Sequence, residues 1–268
     1  MNILCAVKFV PDVDSVAIDV ENLAGTSSRR ILNPDDACAL AFALQVKAGH
    51  PGCNIEVVSL GPLSVRPHME DLLRLAVDRG TLICDPLPDG CSGVTSRVLA
   101  TYIAQRPYDC ILTGSHSLDG GSARVPVEIA EILGLDQMLG IIGIDPDQFA
   151  PQRFNSGPAV VEVAQEGGIA TYEMAMPCVF SLTRDSGYKL PYVKLTDMRR
   201  DVSDGLTVID CKTLGLSDGD LKGAPLYTEA VTWYPQTFAE KEKKIVQTDE
   251  AGIDYVFDVL KAEGFLSR

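Results

Sequence analysis

Short apolar runs alternate with stretches of helical spacing along the first two thirds of the chain. Asn2-Ile3-Leu4-Cys5-Ala6-Val7, Ile55-Glu56-Val57-Val58-Ser59-Leu60 and Cys110-Ile111-Leu112-Thr113 have the pattern of strands buried on both faces, and Thr81-Leu82-Ile83-Cys84 is a weaker fourth. Between them, side chains recur at helical spacing: Ala37, Leu40, Ala41 and Leu44; Met69, Leu72, Leu73 and Ala76; Thr95, Val98, Leu99, Tyr102 and Ile103. Strands alternating with helices predict an α/β fold with a parallel sheet covered on both faces. Asn33-Pro34-Asp35-Asp36 marks one helix start, with an N-cap side chain, a proline at the first helical position and two carboxylates near the positive end of the dipole. The paired acids are thus expected as helix-start charges, not as acid–base catalysts.

A second helix start follows the Gly-rich turn Gly114-Ser115-His116-Ser117-Leu118-Asp119-Gly120-Gly121-Ser122, with helical periodicity from Ala123 to Leu133. The pattern then changes. Val160 to Val163 and Ala170 to Met174 flank Gln165-Glu166-Gly167-Gly168, which predicts a β-hairpin, and Cys178 to Leu182 is one more buried strand. From about Thr183 the alternation thins into a stretch with Pro191, Pro225 and Pro235, and closes with an amphipathic helix carrying Ile253, Val256, Phe257 and Leu260 on one face.

Composition narrows the class. The chain has 268 residues, 46% of them hydrophobic, and a mean hydropathy of +0.10, enough for one substantial core. Its formal charge of −14 speaks against a nucleic-acid surface, which needs clustered Lys and Arg. Lys241, Lys243 and Lys244 are interleaved with Glu240 and Glu242 and are expected to be a solvated stretch. The 8 cysteines are scattered without a C-x-x-C pair and the 3 histidines are far apart, so reduced thiols are expected, with neither a metal site nor a disulfide framework. No apolar run approaches the roughly 20 residues that span a bilayer, and the first residues lack a signal-peptide pattern. The expectation is a cytoplasmic protein without membrane insertion.

Ligands of open α/β sheets lie beyond the carboxyl ends of the strands, where helix N-termini and turn amides point outward. Ala6 to Asp12, Ser59 to Pro62 and Gly114 to Val125 converge there, and the turn at Asn33 can join them. The last of the three is the sharpest candidate. Gly120 and Gly121 let backbone amides approach a phosphate, Ser122 adds a hydroxyl, and Arg124 in the first helical turn opposes the dipole unless an anion accompanies it. The chain has neither G-x-x-x-x-G-K-[ST] nor a G-x-G-x-x-G after its first strand, which disfavours a P-loop NTPase or an ordinary Rossmann dehydrogenase. Ser115 and Ser117 flank His116 without a G-x-S-x-G elbow, so a hydrolase triad is disfavoured too.

Several of these segments together resemble the beta subunits of the electron-transfer flavoprotein family. Cys5-Ala6-Val7-Lys8-Phe9-Val10-Pro11-Asp12 is similar to the family's V-K-x-V-P-D opening, and Ile31-Leu32-Asn33-Pro34-Asp35-Asp36 to its I-x-N-P turn. Val57 to Pro62, Val77 to Gly80 and the hairpin through Glu166-Gly167-Gly168 up to Pro177 align as well. The nucleotide loop is matched by Ser117-Leu118-Asp119-Gly120-Gly121-Ser122-Ala123-Arg124-Val125-Pro126. Within the family this loop runs D-D-D-x-N-Q-T where AMP is a structural ligand, and D-G-D-T-A-Q-V in the electron-bifurcating type, which holds a second FAD. Gly120, Ser122, Ala123 and Val125 side with the FAD version; Gly121 replaces an acid, and Arg124 a glutamine, of both. Ser186-Gly187-Tyr188-Lys189-Leu190-Pro191 departs from the family's N-E-P-R-Y-P, in the region that contacts dehydrogenase partners.

The resemblance implies a Rossmann-like, adenine-nucleotide hydrolase-like domain over residues 1–185, with an appended hairpin, and a C-terminal arm over 186–268 that contacts the partner subunit and ends in a helix. It implies an electron carrier with no catalytic side chain of its own, redox-active only within a flavoprotein complex. An alpha subunit would complete the heterodimer, and the outer partner would be an acyl-CoA dehydrogenase or another flavin or iron–sulfur protein. FAD would sit in this subunit and take hydride from NADH. Ser122, Arg124 and the amides of Gly120 to Ala123 would hold the pyrophosphate, within the loop from Ser117 and Asp119 to Val125, while Ala6, Asn33 and Leu60 would line the adenosine end. Two alternatives stay open: a housekeeping beta subunit with structural AMP, fed by acyl-CoA dehydrogenases, and a stand-alone adenine-nucleotide-binding protein.

Overall fold

A computed structural model describes residues 1–12, 29–84, 92–150, 157–222 and 244–265. Along the chain run β1 (Asn2–Ala6), β2 (Phe9–Pro11), β3 (Arg30–Leu32), α1 (Pro34–Gly49), β4 (Asn54–Leu60), α2 (Arg66–Arg74), β5 (Arg79–Ile83), α3 (Ser92–Ala104), β6 (Cys110–Gly114) and α4 (Val125–Leu133). They are followed by β7 (Asp136–Ile144), β8 (Ala159–Gln165), β9 (Gly168–Met174), β10 (Cys178–Leu182), β11 (Leu206–Ile209), α5 (Asp218–Lys222) and α6 (Glu250–Ala262).

Nine of these strands form one sheet in the order β11-β5-β4-β1-β6-β10-β7-β8-β9. From β11 to β7 every pairing is parallel, and β8 and β9 add the antiparallel hairpin predicted from the Gly167-Gly168 turn. β2 and β3 make a separate antiparallel ribbon. The central strands are apolar on both faces because both faces are covered. Ile3 and Cys5 of β1 join the core with α1 and α2, while Leu4 and Ala6 join the core with α3 and α4. Burying each leucine-sized side chain stabilises the fold by about 1.5–3 kcal/mol.

Four strands escape the sequence pattern for identifiable reasons. β7 is interrupted by glycines, with Gly140 at φ 78° and a register shift against β10, so no clean alternation survives. β11 has 4 residues, and β2 and β3 have 3 each, too short for periodicity to register.

Packing divides the chain into Met1–Val231 and Thr232–Arg268, and β11 and α5, beyond position 185, belong with the first. Within the second unit, Asp249 caps α6 by accepting the Gly252 amide at 2.8 Å, and the Lys244 ammonium lies 3.6 Å from the centre of the Tyr255 ring. Ile253, Val256, Phe257 and Leu260 of α6 are all exposed in this chain. Lys241, Lys243, Pro225 and Pro235 lie outside the described residues.

The strand order places the site. From β1 the sheet grows one way through β4 and β5, then the chain crosses back and lays β6 on the other side of β1. The loops leaving β1 and β6 therefore diverge, and the crevice between them is where such sheets take their ligands.

Candidate nucleotide site

The start of α1 holds this crevice together. Asn33, Asp35 and Asp36 are 2%, 6% and 6% exposed, and buried polar groups at such depth need partners. Asp36 finds them in two loops at once: its carboxylate accepts the Lys8 amide at 2.8 Å and the Gly114 amide at 2.7 Å. Gly114 has no room for a side chain, since a Cβ would stand 2.3 Å from Asp36 Oδ1 and 2.6 Å from the Asp36 amide nitrogen. Burial pushes the Asp36 carboxyl up to about 7, against the two amides and the Asn33 side chain, with Asp35 adding to the rise.

The expectation that Asn33 caps α1 through its side chain is corrected here. No side-chain cap is formed. Instead Asn33 Nδ2 donates to the His116 carbonyl at 2.6 Å, its Oδ1 accepts the Leu118 amide at 3.2 Å, and its own amide donates to the Lys8 carbonyl at 2.8 Å. Bridging two loops uses more of the amide than one cap bond does. Asp35 accepts the His116 amide at 3.1 Å and has Arg184 Nε at 3.4 Å, so both helix-start acids have a tertiary role beyond the dipole.

The loop after β6 is shaped mainly by its own backbone. Asp119 Oδ1 lies 2.7 Å from Lys8 Nζ and accepts the Gly120 amide at 2.7 Å, while the Gly121 amide donates to the Ser117 carbonyl at 2.9 Å. Burial pushes the Asp119 carboxyl up, but Lys8, the Ser117 hydroxyl and the Gly120 amide together hold it below its ordinary value. Gly121 sits at φ 60° and Ala123 at φ 53°, a conformation that costs a residue with a Cβ about 1–2 kcal/mol. Of the four amides from Gly120 to Ala123, the first two are thus engaged within the loop. Among the described residues, those of Ser122 and Ala123 have no acceptor.

Arg124 stands at the N-cap of α4, its guanidinium 3.2 Å from Glu128. Val125 opens the helix. Ala6 ends β1 opposite Val58, and Leu60 ends β4 two residues further on, so both reach the same sheet edge as the loop. Ser115 is not free to act as a nucleophile: its hydroxyl donates to the Ser181 carbonyl at 3.0 Å and accepts the Gly140 amide at 3.1 Å. What the loop offers an anion is thus the Ser122 and Ala123 amides and two cations, Lys8 and Arg124, each already paired with a carboxylate. Among the described residues no His, Cys, Asp or Glu side chains gather as a metal site, and no helix is long and apolar enough to cross a membrane.

Lys8, Asp36 and Glu128 were not singled out as site residues from the sequence. A signal for Asp36 exists: Ala37-Cys38-Ala39-Leu40-Ala41-Phe42-Ala43 is apolar all round, so carboxylates at the start of such a helix are buried and must be paired.

Residues 22–189 match the family described as "Electron transfer flavoprotein domain". The chain is 34% identical over 171 residues to the electron transfer flavoprotein subunit beta of Clostridium acetobutylicum, covering 61% of this chain and 65% of that one. It is 30% identical over 191 residues to the caffeyl-CoA reductase-Etf complex subunit CarD of Acetobacterium woodii, covering 69% of each. It is 27% identical over 267 residues to protein FixA of Azorhizobium caulinodans, covering 95% of this chain and 92% of that one. With a parallel α/β sheet, a clamped loop at its switch point and these relatives, the chain belongs to the electron transfer flavoprotein family, among its beta subunits.

Proposed function

We propose that the chain pairs with an alpha subunit in the cytoplasm, holds FAD at the carboxyl edge of its sheet, and passes electrons between NADH or a dehydrogenase and the alpha-subunit FAD by flavin-based bifurcation. The observation that carries this reading is the loop from Ser117 to Val125. It leaves two consecutive amides, Ser122 and Ala123, unengaged among the described residues, beside the cations of Arg124 and Lys8. That donor set fits a pyrophosphate, which takes amide and guanidinium hydrogen bonds.

FAD supplies hydride and single-electron chemistry when bound, and the protein supplies position and electrostatics. Ser122, Ala123 and Arg124 bind the phosphates, while Gly120 and Gly121 keep side chains out of the way. Ala6 and Leu60 line the adenosine end. Asn33 acts at one remove, by holding the backbone of His116 and Leu118. The small side chains at Gly120, Ser122, Ala123 and Val125 favour FAD over AMP. Two FAD per purified heterodimer is the expected content; one FAD and one AMP would refute the FAD assignment.

The segment from Ser186 to Arg200 is our choice for the dehydrogenase-facing surface. Its ends are fixed: the Tyr188 hydroxyl donates to the Ile144 carbonyl, and Arg200 donates to the Leu73 carbonyl at 3.0 Å. Between them Tyr192 is 96%, Leu195 85% and Met198 56% exposed. An anchored segment that presents three large apolar side chains suits transient docking.

A further inference from the structure

Arg124 is held by an unusual partner. Glu128 follows it by one helical turn, and exposed pairs at this spacing are weak and loosely ordered. Here the carboxylate is itself tied down from a different helix. Ser92 of α3 donates to Glu128 Oε1 at 3.2 Å, and the Ser96 hydroxyl lies 2.8 Å from Oε2. Ser96 is fully buried, at 0% exposure, so one side of this arrangement belongs to the packed interior between α3 and α4. Oε1 therefore stands between a hydroxyl of α3 and the guanidinium of Arg124, the residue that directly follows the unengaged Ser122 and Ala123 amides.

We propose that Glu128 is a positioning residue, which sets the Arg124 guanidinium for the second phosphate of a dinucleotide. This rests on the reading of Ser117 to Val125 as a pyrophosphate site. A free arginine must be ordered when ligand binds, and that ordering weakens affinity. Glu128, held by Ser92 and by the Ser96 hydroxyl, whose one proton it shares with the Ser92 carbonyl at 2.8 Å, orders it in advance. A carboxylate this near an anion site would by itself repel the ligand, so its presence calls for a compensating role. Positioning supplies one, and it separates the second phosphate from the first.

A double-mutant cycle on the full-length chain tests this, with calorimetric binding of ADP, which carries the adenosine and both phosphates of FAD, and of AMP, which has one. Glu128→Gln keeps the size of the side chain and one acceptor oxygen but removes its charge. We expect it to weaken ADP binding about fivefold, within the range set by ordering one long side chain, and to leave AMP binding nearly unchanged. In an Arg124→Ala background, where ADP binding is already reduced, the same substitution should have no further effect. Ser96→Ala, which loosens Glu128 without touching its charge, should weaken ADP binding in the same direction and serves if the first variant folds poorly. The positioning role is overturned by equal effects of Glu128→Gln in both backgrounds, by tighter ADP binding, by equal losses for ADP and AMP, or by no change while Arg124→Ala still weakens ADP. That last outcome leaves the pyrophosphate reading standing. If the wild-type chain binds neither nucleotide, the site reading falls and the inference with it.

Discussion

Asp36 Oδ1 accepts the Gly114 amide at 2.7 Å, joining the start of α1 to the last residue of β6 across 78 positions of sequence. The contact leaves no space for a methyl group, because a Cβ on Gly114 would meet the Asp36 carboxylate and backbone at 2.3 and 2.6 Å. Gly114→Ala is therefore expected to destabilise the fold by at least about 1–3 kcal/mol, the range for overpacked sites. Urea unfolding would show it. A variant within a few tenths of a kcal/mol of wild type would mean that α1 and β6 can part easily.

The same carboxyl group gives a pH dependence. Its value of about 7 in the folded chain exceeds the roughly 3.9 of an unfolded aspartate, so the folded state binds this proton more tightly. The stabilising contribution is complete below about pH 4 and is lost as pH rises through 7. Against Asp36→Asn, the wild type should lose relative stability between pH 5 and 8, with a slope of at most about 1.4 kcal/mol per pH unit. A difference between the two proteins that stays constant over that window counts against the assignment.

Asn33 donates to one carbonyl and accepts one amide of the loop, so a substitution that alters either half should be felt. Asn33→Asp keeps an acceptor for Leu118 but sets an oxygen against the His116 carbonyl. We expect a loss of about 1–3 kcal/mol in stability and weaker ADP binding, measured by unfolding and calorimetry. Unchanged binding would show that the loop keeps its shape without this bridge.

Leu195 is 85% exposed, outside both hydrophobic cores, and its side chain is among the most exposed apolar groups of the described residues. With the docking surface proposed above, Leu195→Ala should leave the melting temperature and any flavin content of the purified complex unchanged, while electron transfer from a dehydrogenase slows several-fold through weaker docking. Equal steady-state rates for variant and wild type at low dehydrogenase concentration would move the docking surface elsewhere.

Much of the sheet was legible because its strands are buried twice over: Ile3 to Ala6 and Cys110 to Thr113 leave no room for polar residues, and a run of that kind is hard to mistake. The Gly-rich turn between β6 and α4 was legible as a turn for the same local reason. The clamp was not. Asp36, Asn33 and Lys8 act through pairings 28, 83 and 111 positions apart in sequence, and no local pattern reports such distances. The engaged amides of Gly120 and Gly121 were hidden as well, because glycine announces a permissive backbone and not where its N–H points.

The position of the crevice at the seam between β1 and β6 bears on how the protein comes to be. Lys8 meets Asp119, and Asp36 meets Gly114, only after the first strand has waited for the better part of half the chain to arrive beside it. Closing loops of that size is slow, and the contacts that reward closure come last. The crevice is thus walled only once both halves of the sheet have met, and a nascent chain lacks it until β6 has been made and laid beside β1.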